Sequence, residues 1–233
     1  MITVRNDLST RKNEADKFII YLHKLEDLEY PNTDTYFSLF PNLDIISLKT
    51  TMKASVCLIL YNIVESTTTN CLRKIHETII SDRLYYSDLS VPIQKILLTY
   101  YEHSLVKISD IGKIVDQKYN QIELVENRVY FDISFSELSQ YYQMYSGNLD
   151  GKQIKSILNR YGITYEAQCS ELQTIKNNRN KLAHGEMSFE EIGRDLSVQQ
   201  IEHYKVKVFD FLEGMISKVE EYLASKEYTI AGH

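Results

Sequence analysis

The sequence has few residues that would interrupt a helix or cross-link the chain. Its 233 residues include no Trp, 3 Pro and 8 Gly, so few positions break a helix, and 43% of the residues are hydrophobic. The 3 Cys do not suggest a disulfide framework, because Cys57 and Cys71 would lie about 21 Å apart along one helix. We expect buried thiols, with Cys169 unassigned, and a mainly helical chain that forms its own core.

A positive net charge and a long apolar run are also missing. The formal net charge is -6 at pH 7, so any contact with RNA must be local. The longest apolar run, residues 54–61, is far shorter than the roughly 20 residues that span a bilayer, and the polar N-terminus does not resemble a secretory signal. We therefore expect a cytoplasmic protein that makes no membrane contact.

Apolar residues at helical spacing predict several long helices. They mark a first helix over residues 4–28 and a second, the longest, over residues 48–80. Asp88 or Ser90 offers an N-cap for a third helix with Pro92 in its first turn. Helices are also predicted over residues 150–161, over 165–184 before Gly185, and from Ser197 onwards, where Ser197 and Gln200 form a capping box.

Two stretches give weaker signals. Residues 30–43 contain two prolines and several aromatic residues, which predicts an ordered surface connection. Residues 122–135 mix β-branched and aromatic residues and fit either a short hairpin or an irregular insertion. No internal repeat is visible, so we predict one helical domain over residues 1–233 with an insertion at about 109–161, between helices three and four.

The segment KNNRNKLAHG, residues 176–185, places three cations, three amides and one histidine at a predicted helix end. It fits a solvated helix terminus, because cations favour the last turn and a histidine can bond the free carbonyls. It also fits a site for cleaving RNA. His184 would take the 2′-hydroxyl proton or protonate the leaving 5′-oxygen, Arg179 would bind the scissile phosphate, and Asn180 would orient either group.

Helix geometry constrains the second interpretation. Five residues turn an ideal helix by roughly 500°, which leaves Arg179 and His184 about 140° apart around the axis. Either the last turn unwinds near Ala183, or a symmetric dimer assembles the site from two copies of the motif. We favour the dimer with partial unwinding.

The string RNKLAHG resembles the R-x4-H motif, with Asn after the Arg, of the HEPN superfamily. LYNIVEST in helix two and RNKLAHGEMSFEEIGRDLS before the last helix are similar to the MAE-type HEPN-like nucleases of bacterial defence loci. The resemblance covers most of helix two and residues 165–227. It implies an all-α HEPN-like helical bundle with long helices and an irregular insertion.

The resemblance also implies an activity. Such a chain would be a metal-independent endoribonuclease without a cofactor, acting on RNA as a homodimer in a toxin-antitoxin or phage-defence system, with an antitoxin or other defence protein as partner. The superfamily also contains non-catalytic modules that bind RNA, nucleotides or proteins, and this is the alternative function. The intact motif favours the nuclease.

The resemblance assigns roles to particular residues. Arg179 and His184 of each subunit would be catalytic and face each other across the interface. Glu65 matches an acidic position that supports the motif arginine in similar proteins, although an exposed helix carboxylate explains it equally well. Asn180, Lys176 and Lys181 complete the supporting and phosphate-binding set.

Other candidate sites are weaker. Asp116-x-Lys118 imitates the end of a metal-dependent DNA nuclease site, but no acidic partner precedes it in a recognisable strand. The sequence has no glycine-rich phosphate loop and no zinc-ligand spacing. The remaining predicted-helix histidines stand singly, so we expect them to be structural; they are His23, His76, His103 and His203. The 18 Tyr are attributed to helix faces and to the insertion.

Overall fold

The computed structural model describes residues 1–27, 44–145 and 148–232. Within these ranges the chain forms nine α-helices, two short 3-10 helices and no strand. The α-helices are α1 Ile2–Asp27, α2 Ile45–Ser81, α3 Val91–Lys107, α4 Ile111–Val125, α5 Phe135–Tyr141, α6 Gly151–Arg160, α7 Glu171–His184, α8 Phe189–Arg194 and α9 Val198–Ala224. The predicted all-α fold is confirmed.

Local signals place most helix ends. Ser90 is the extended N-cap of α3, and Pro92 lies in its first turn. At the start of α9 the Ser197 amide donates to Gln200 Oε1 at 2.8 Å, and the Gln200 amide donates to Ser197 Oγ at 3.1 Å. Gly162 follows α6 with a φ of 86°. The surface connection predicted at 30–43 lies outside the described residues.

The structure corrects two predictions. The hairpin considered for residues 122–135 is wrong, because α4 continues through Val125, residues 126–134 contain no strand, and α5 begins at Phe135. α4 begins at Ile111, and the carboxylate of its N-cap Asp110 accepts from the Gly112 amide at 2.8 Å. The helix predicted from residue 165 begins only at Glu171. Residues 163–169 before it are irregular, and they bury Tyr165 and Cys169 without forming a helix. The single domain with an insertion at about 109–161 stays a prediction.

Two compact units share the chain. Unit A comprises Ile2–Thr67 and Gln168–Leu212, and unit B comprises Thr68–Ala167 and Glu213–His233 together with Met1. No helix of the described residues is long and apolar enough to cross a membrane. All three cysteines are free and buried, which confirms the expectation of buried thiols.

Unit A is a helical bundle in which ion pairs join the outer edges of neighbouring helices. Lys205 on α9 lies 2.6 Å from Asp16 on α1, and Lys53 on α2 lies 2.7 Å from Glu26 on α1. The core beneath them is apolar, with Leu22, Leu60, Leu172, Ile175 and Val208 among its fully buried side chains. Burial of these apolar side chains makes the largest favourable contribution to the stability of the unit.

The helices α8 and α2 of unit A approach each other through a glycine. A Cβ atom added to Gly193 would lie 1.8 Å from the backbone oxygen of Thr50. Real Cβ atoms never come that close to backbone, so only glycine permits this approach. Gly193 therefore sets the position of the short helix that follows α7.

Unit B contains a buried histidine, His76 on α2. Its Nδ1 lies 2.8 Å from the Ile133 carbonyl oxygen, so Nδ1 carries the proton and donates. Nε2 then accepts from the Tyr161 hydroxyl at 3.0 Å. Burial lowers the pKa of His76 to about 4, so the ring is neutral and serves as a core side chain. This agrees with the expectation of a structural histidine.

Candidate functional site

The end of α7 is a complete helical terminus. The helix continues through His184 and ends at Gly185, which adopts a left-handed φ of 68°. The Gly185 amide donates to the Leu182 carbonyl at 3.3 Å, and the Glu186 amide donates to the Lys181 carbonyl at 2.9 Å. The unwinding predicted near Ala183 is therefore wrong, because the Gly185 and Glu186 amides satisfy the Leu182 and Lys181 carbonyls and the final turn stays helical.

The intact helix arranges the predicted polar side chains in an arc. Around an ideal axis the order is Arg179, Lys176, Asn180, His184 and Lys181, and neighbours are separated by roughly 40° to 60°. Arg179 and His184 thus stay about 140° apart, with Lys176 and Asn180 between them. Arg179, Lys176 and Asn180 are half-buried, whereas His184 and Lys181 are exposed.

Arg179 is held by two contacts. Its guanidinium carbon lies 4.7 Å from the centroid of the Tyr61 ring, and its Nη1 donates to Asn180 Oδ1 at 3.1 Å. The Tyr61 ring is 1% exposed, so this cation–π contact is made against a fixed core side chain. The structure therefore brings the side chains of Arg179 and Asn180 together, but it leaves His184 on another side of the helix. Their roles in a site stay predictions.

Sequence reasoning did not identify Tyr61. It was counted among the tyrosines of helix faces, although it lies within the LYNIVEST string that carries the resemblance in helix two. The spacing of four residues between Tyr61 and Glu65 was the available signal, because residues four apart share a helix face. Glu65 lies one turn beyond Tyr61 on α2 and is half-buried. Its supporting role for the arginine stays a prediction.

A second contact beneath α7 involves Cys57, one turn before Tyr61 on α2. Asn178 Nδ2 lies 3.7 Å from Cys57 Sγ. Burial raises the pKa of the Cys57 thiol, so the sulfur stays protonated at neutral pH. Cys57 therefore acts as a packing residue under the motif helix.

The order of helices and this motif agree with a match to a known family. A sequence model of the HEPN_MAE_28990 family, a group of HEPN domains, matches residues 2–228. The chain belongs to this HEPN family. Its membership supports a nuclease or an RNA-binding module, since HEPN domains are often ribonucleases. No curated protein and no solved structure matches the chain significantly.

The described residues contain no group of three or more His, Cys, Asp or Glu side chains placed to hold a metal ion.

The HEPN chain also has a cleft apart from the motif. A cleft of about 750 Å³ lies in unit B, where Tyr100 and Tyr101 of α3 and Gln117 of α4 contribute to its lining. None of the α7 motif residues lines this cleft.

Proposed function

We propose that this HEPN chain is a metal-independent endoribonuclease that cleaves RNA through Arg179 and His184. The observation that best supports this proposal is the fixed position of Arg179, which packs on the buried Tyr61 ring and donates to Asn180. A guanidinium held in this way binds a phosphate without first losing side-chain freedom. The exposed His184 stands at the end of the same helix.

The proposed site needs two chains. Because α7 stays helical through His184, one chain directs Arg179 and His184 to different sides of the helix. A two-fold dimer that pairs the α7 ends places Arg179 of one subunit beside His184 of the other. Glu65 is the candidate carboxylate that reduces the repulsion between the paired positive clusters, and Lys176 and Lys181 add attraction for the RNA backbone.

The proposed reaction is transesterification at phosphorus. The ribose 2′-oxygen forms a bond to phosphorus, the bond from phosphorus to the 5′-oxygen breaks, and a 2′,3′-cyclic phosphate remains. One His184 removes the 2′-hydroxyl proton, and the His184 of the other subunit donates a proton to the leaving 5′-oxygen. Arg179 stabilises the charge that develops on the non-bridging oxygens, and Asn180 orients the guanidinium.

The proposed setting is a bacterial toxin-antitoxin or phage-defence system. A ribonuclease with a site open to solvent would damage its own cell, so an antitoxin or defence-system partner would restrain it. This setting rests on the resemblance of the motif region to defence nucleases. The substrate class is single-stranded or looped RNA, because a 2′-oxygen held in a regular duplex cannot reach the in-line position.

The test is cleavage of a defined RNA by the purified full chain in EDTA. We expect wild-type cutting with 2′,3′-cyclic or 3′-phosphate products, no cutting of the 2′-deoxy substrate, and a roughly 10²- to 10⁴-fold slower rate for His184→Ala. His103→Ala is the matched control, because His103 is also exposed on a helix but lies in unit B. It should cleave at the wild-type rate.

Two results would contradict the nuclease. Cutting of the 2′-deoxy strand at the wild-type rate would contradict attack by the 2′-oxygen. Full activity of His184→Ala would contradict the role of His184 in proton transfer. Binding of RNA or a nucleotide without any cleavage would favour the alternative, a non-catalytic HEPN binding module. A chain that stays monomeric while cutting at full rate would contradict a site formed by two subunits.

A further inference from the structure

The helix α4 exposes its apolar residues instead of burying them. Only Leu124 of this 15-residue helix is buried. Ile111 is 78% exposed, Val115 60%, Ile122 51% and Val125 42%, and the Tyr119 ring is also exposed. A surface helix of a globular protein ordinarily turns such residues towards the core. The outward stripe of α4 is therefore an unusual surface.

The side of α4 that carries Gln117 faces its neighbour α3. Gln117 Nε2 donates to Ser104 Oγ at 3.0 Å and lies 3.3 Å from the Tyr100 hydroxyl. The five exposed apolar residues instead fall within an arc of about 120° and extend for about 21 Å along the helix. Their spacings of four, four, three and three residues are those of a helix that packs on another helix. Contiguous exposed apolar surface of this kind marks an interaction site.

One charge interrupts the stripe. Lys118 falls inside the apolar arc and halfway between Ile111 and Val125, and it is exposed. It makes no ion pair with any residue of the part that the structure describes. A partner that covers the stripe must desolvate or neutralise this ammonium, so the charge selects between partners.

We propose that the outward stripe of α4 binds an amphipathic helix of a partner protein that carries an acidic residue at the middle of its apolar face. The apolar residues of the two helices bury each other, and the partner carboxylate pairs with Lys118. This interface is separate from the α7 motif and does not depend on the proposed nuclease activity. It is the kind of surface through which a regulatory protein would bind.

A second copy of the chain fits the stripe poorly. In a two-fold antiparallel pair of α4 helices, position 118 lies opposite itself, so two ammonium groups meet in an apolar contact. A lipid surface also fits poorly, because the residues beside the apolar arc include the acidic Asp116 and Glu123 instead of a row of basic residues.

The test measures binding of two synthetic helical peptides to the full chain by fluorescence anisotropy. Both peptides have leucines at matching apolar positions, and they differ only in a central Glu or a central Lys. We expect wild type to bind the Glu peptide about 10-fold more tightly than the Lys peptide, and Lys118→Glu to reverse this preference. Val115→Asp should weaken binding of the Glu peptide by at least about 10-fold.

Two matched controls separate the stripe from general effects. Lys113→Glu makes the same charge change on the same helix, but outside the apolar arc, and should keep the wild-type preference. Val206→Asp places the same charge at a residue on α9 that is 50% exposed, and should not affect binding. Circular dichroism checks that all variants are folded.

The other outcomes overturn the proposal. Equal affinity for the two peptides would show that Lys118 does not select a partner, and affinity for neither would show that the stripe does not bind an amphipathic helix. Concentration-dependent association of wild type that Val115→Asp abolishes would identify a second copy as the occupant. Binding to phosphatidylserine vesicles that Val115→Asp abolishes would identify a lipid surface instead.

Discussion

The guanidinium of Arg179 lies 4.7 Å above the ring of Tyr61, a side chain that is 1% exposed. The contact joins the motif helix α7 to the long helix α2 within unit A. Because a buried ring cannot follow the arginine, Tyr61 determines where the charge is held. The geometry of the motif thus depends on a residue far from it in the sequence.

Replacing Tyr61 tests this dependence. Tyr61→Leu removes the ring quadrupole, and we expect RNA cleavage to fall roughly 2- to 30-fold, which corresponds to the usual range for a cation–π contact. Tyr61→Phe keeps the ring face and should cleave much faster than Tyr61→Leu. Rates at a temperature where both variants are folded, checked by circular dichroism, separate lost positioning from lost stability. Equal rates for the two variants would contradict a positioning role.

The order of effects within the motif is a second prediction. Arg179→Lys should slow cleavage by about 10² or more, because an ammonium cannot form the two parallel hydrogen bonds of a guanidinium on phosphate. Asn180→Ala should cost less, since Asn180 accepts from Arg179 Nη1 but carries neither proton nor charge in the reaction. Single-turnover rates on one RNA give the comparison. A larger loss in Asn180→Ala than in Arg179→Lys would contradict these roles.

His76 makes stability depend on pH. Its pKa is lowered to about 4 in the folded chain, against about 6.5 when unfolded, so the unfolded state binds more protons between these values. The free energy of unfolding should therefore be highest above pH 6.5 and fall by about 3 kcal/mol towards pH 4 from this group. Urea denaturation at several pH values measures the slope.

Variants assign that slope to His76. His76→Gln should be less stable than wild type at pH 7.5 but should lose this part of the acid dependence. His103→Gln is the control, because His103 is exposed, and it should keep the wild-type slope. An unchanged slope in His76→Gln would mean that other groups cause the acid sensitivity.

Two glycines of unit A should respond differently to alanine. Gly193→Ala forces a Cβ onto the Thr50 backbone, so we expect a loss of at least about 3 kcal/mol in the free energy of unfolding. At Gly185 a Cβ meets nothing within 4 Å, and only the φ of 68° opposes it, so Gly185→Ala should cost about 1 to 2 kcal/mol. Thermal and urea unfolding of both variants provide the test, and equal losses would contradict the close approach.

Local signals explain why much of the fold could be predicted. Pro92 in the first turn of α3, the Ser197 capping box and Gly185 each mark a helix end through neighbours a few residues away, and the apolar stripe of α2 is continuous. Such features are readable from one sequence. The family match over residues 2–228 agrees with the fold that they indicate.

Long-range and ambiguous features could not be predicted in the same way. α4 is rich in β-branched residues, so its composition favours strand while its spacing favours helix, and Asp110 as N-cap accompanies the spacing. The contact between Tyr61 and Arg179 joins distant segments. The four-residue spacing between Tyr61 and Glu65 places both on one face of α2 but does not indicate which residue of α7 packs there. The intact last turn of α7 depends on hydrogen bonds from Gly185 and Glu186, which a motif string does not show.

The hydrogen-bonded end of α7 restricts how His184 can move. Its backbone precedes a turn closed by two amide donors, so the imidazole cannot be delivered by a swinging loop. Only rotation about its two side-chain torsions remains, and one of the three χ1 wells is rare in a helix. An imidazole limited to a few rotamers loses little entropy when it meets a substrate. In the proposed dimer, assembly of the two subunits and not closure of a loop would therefore complete the site.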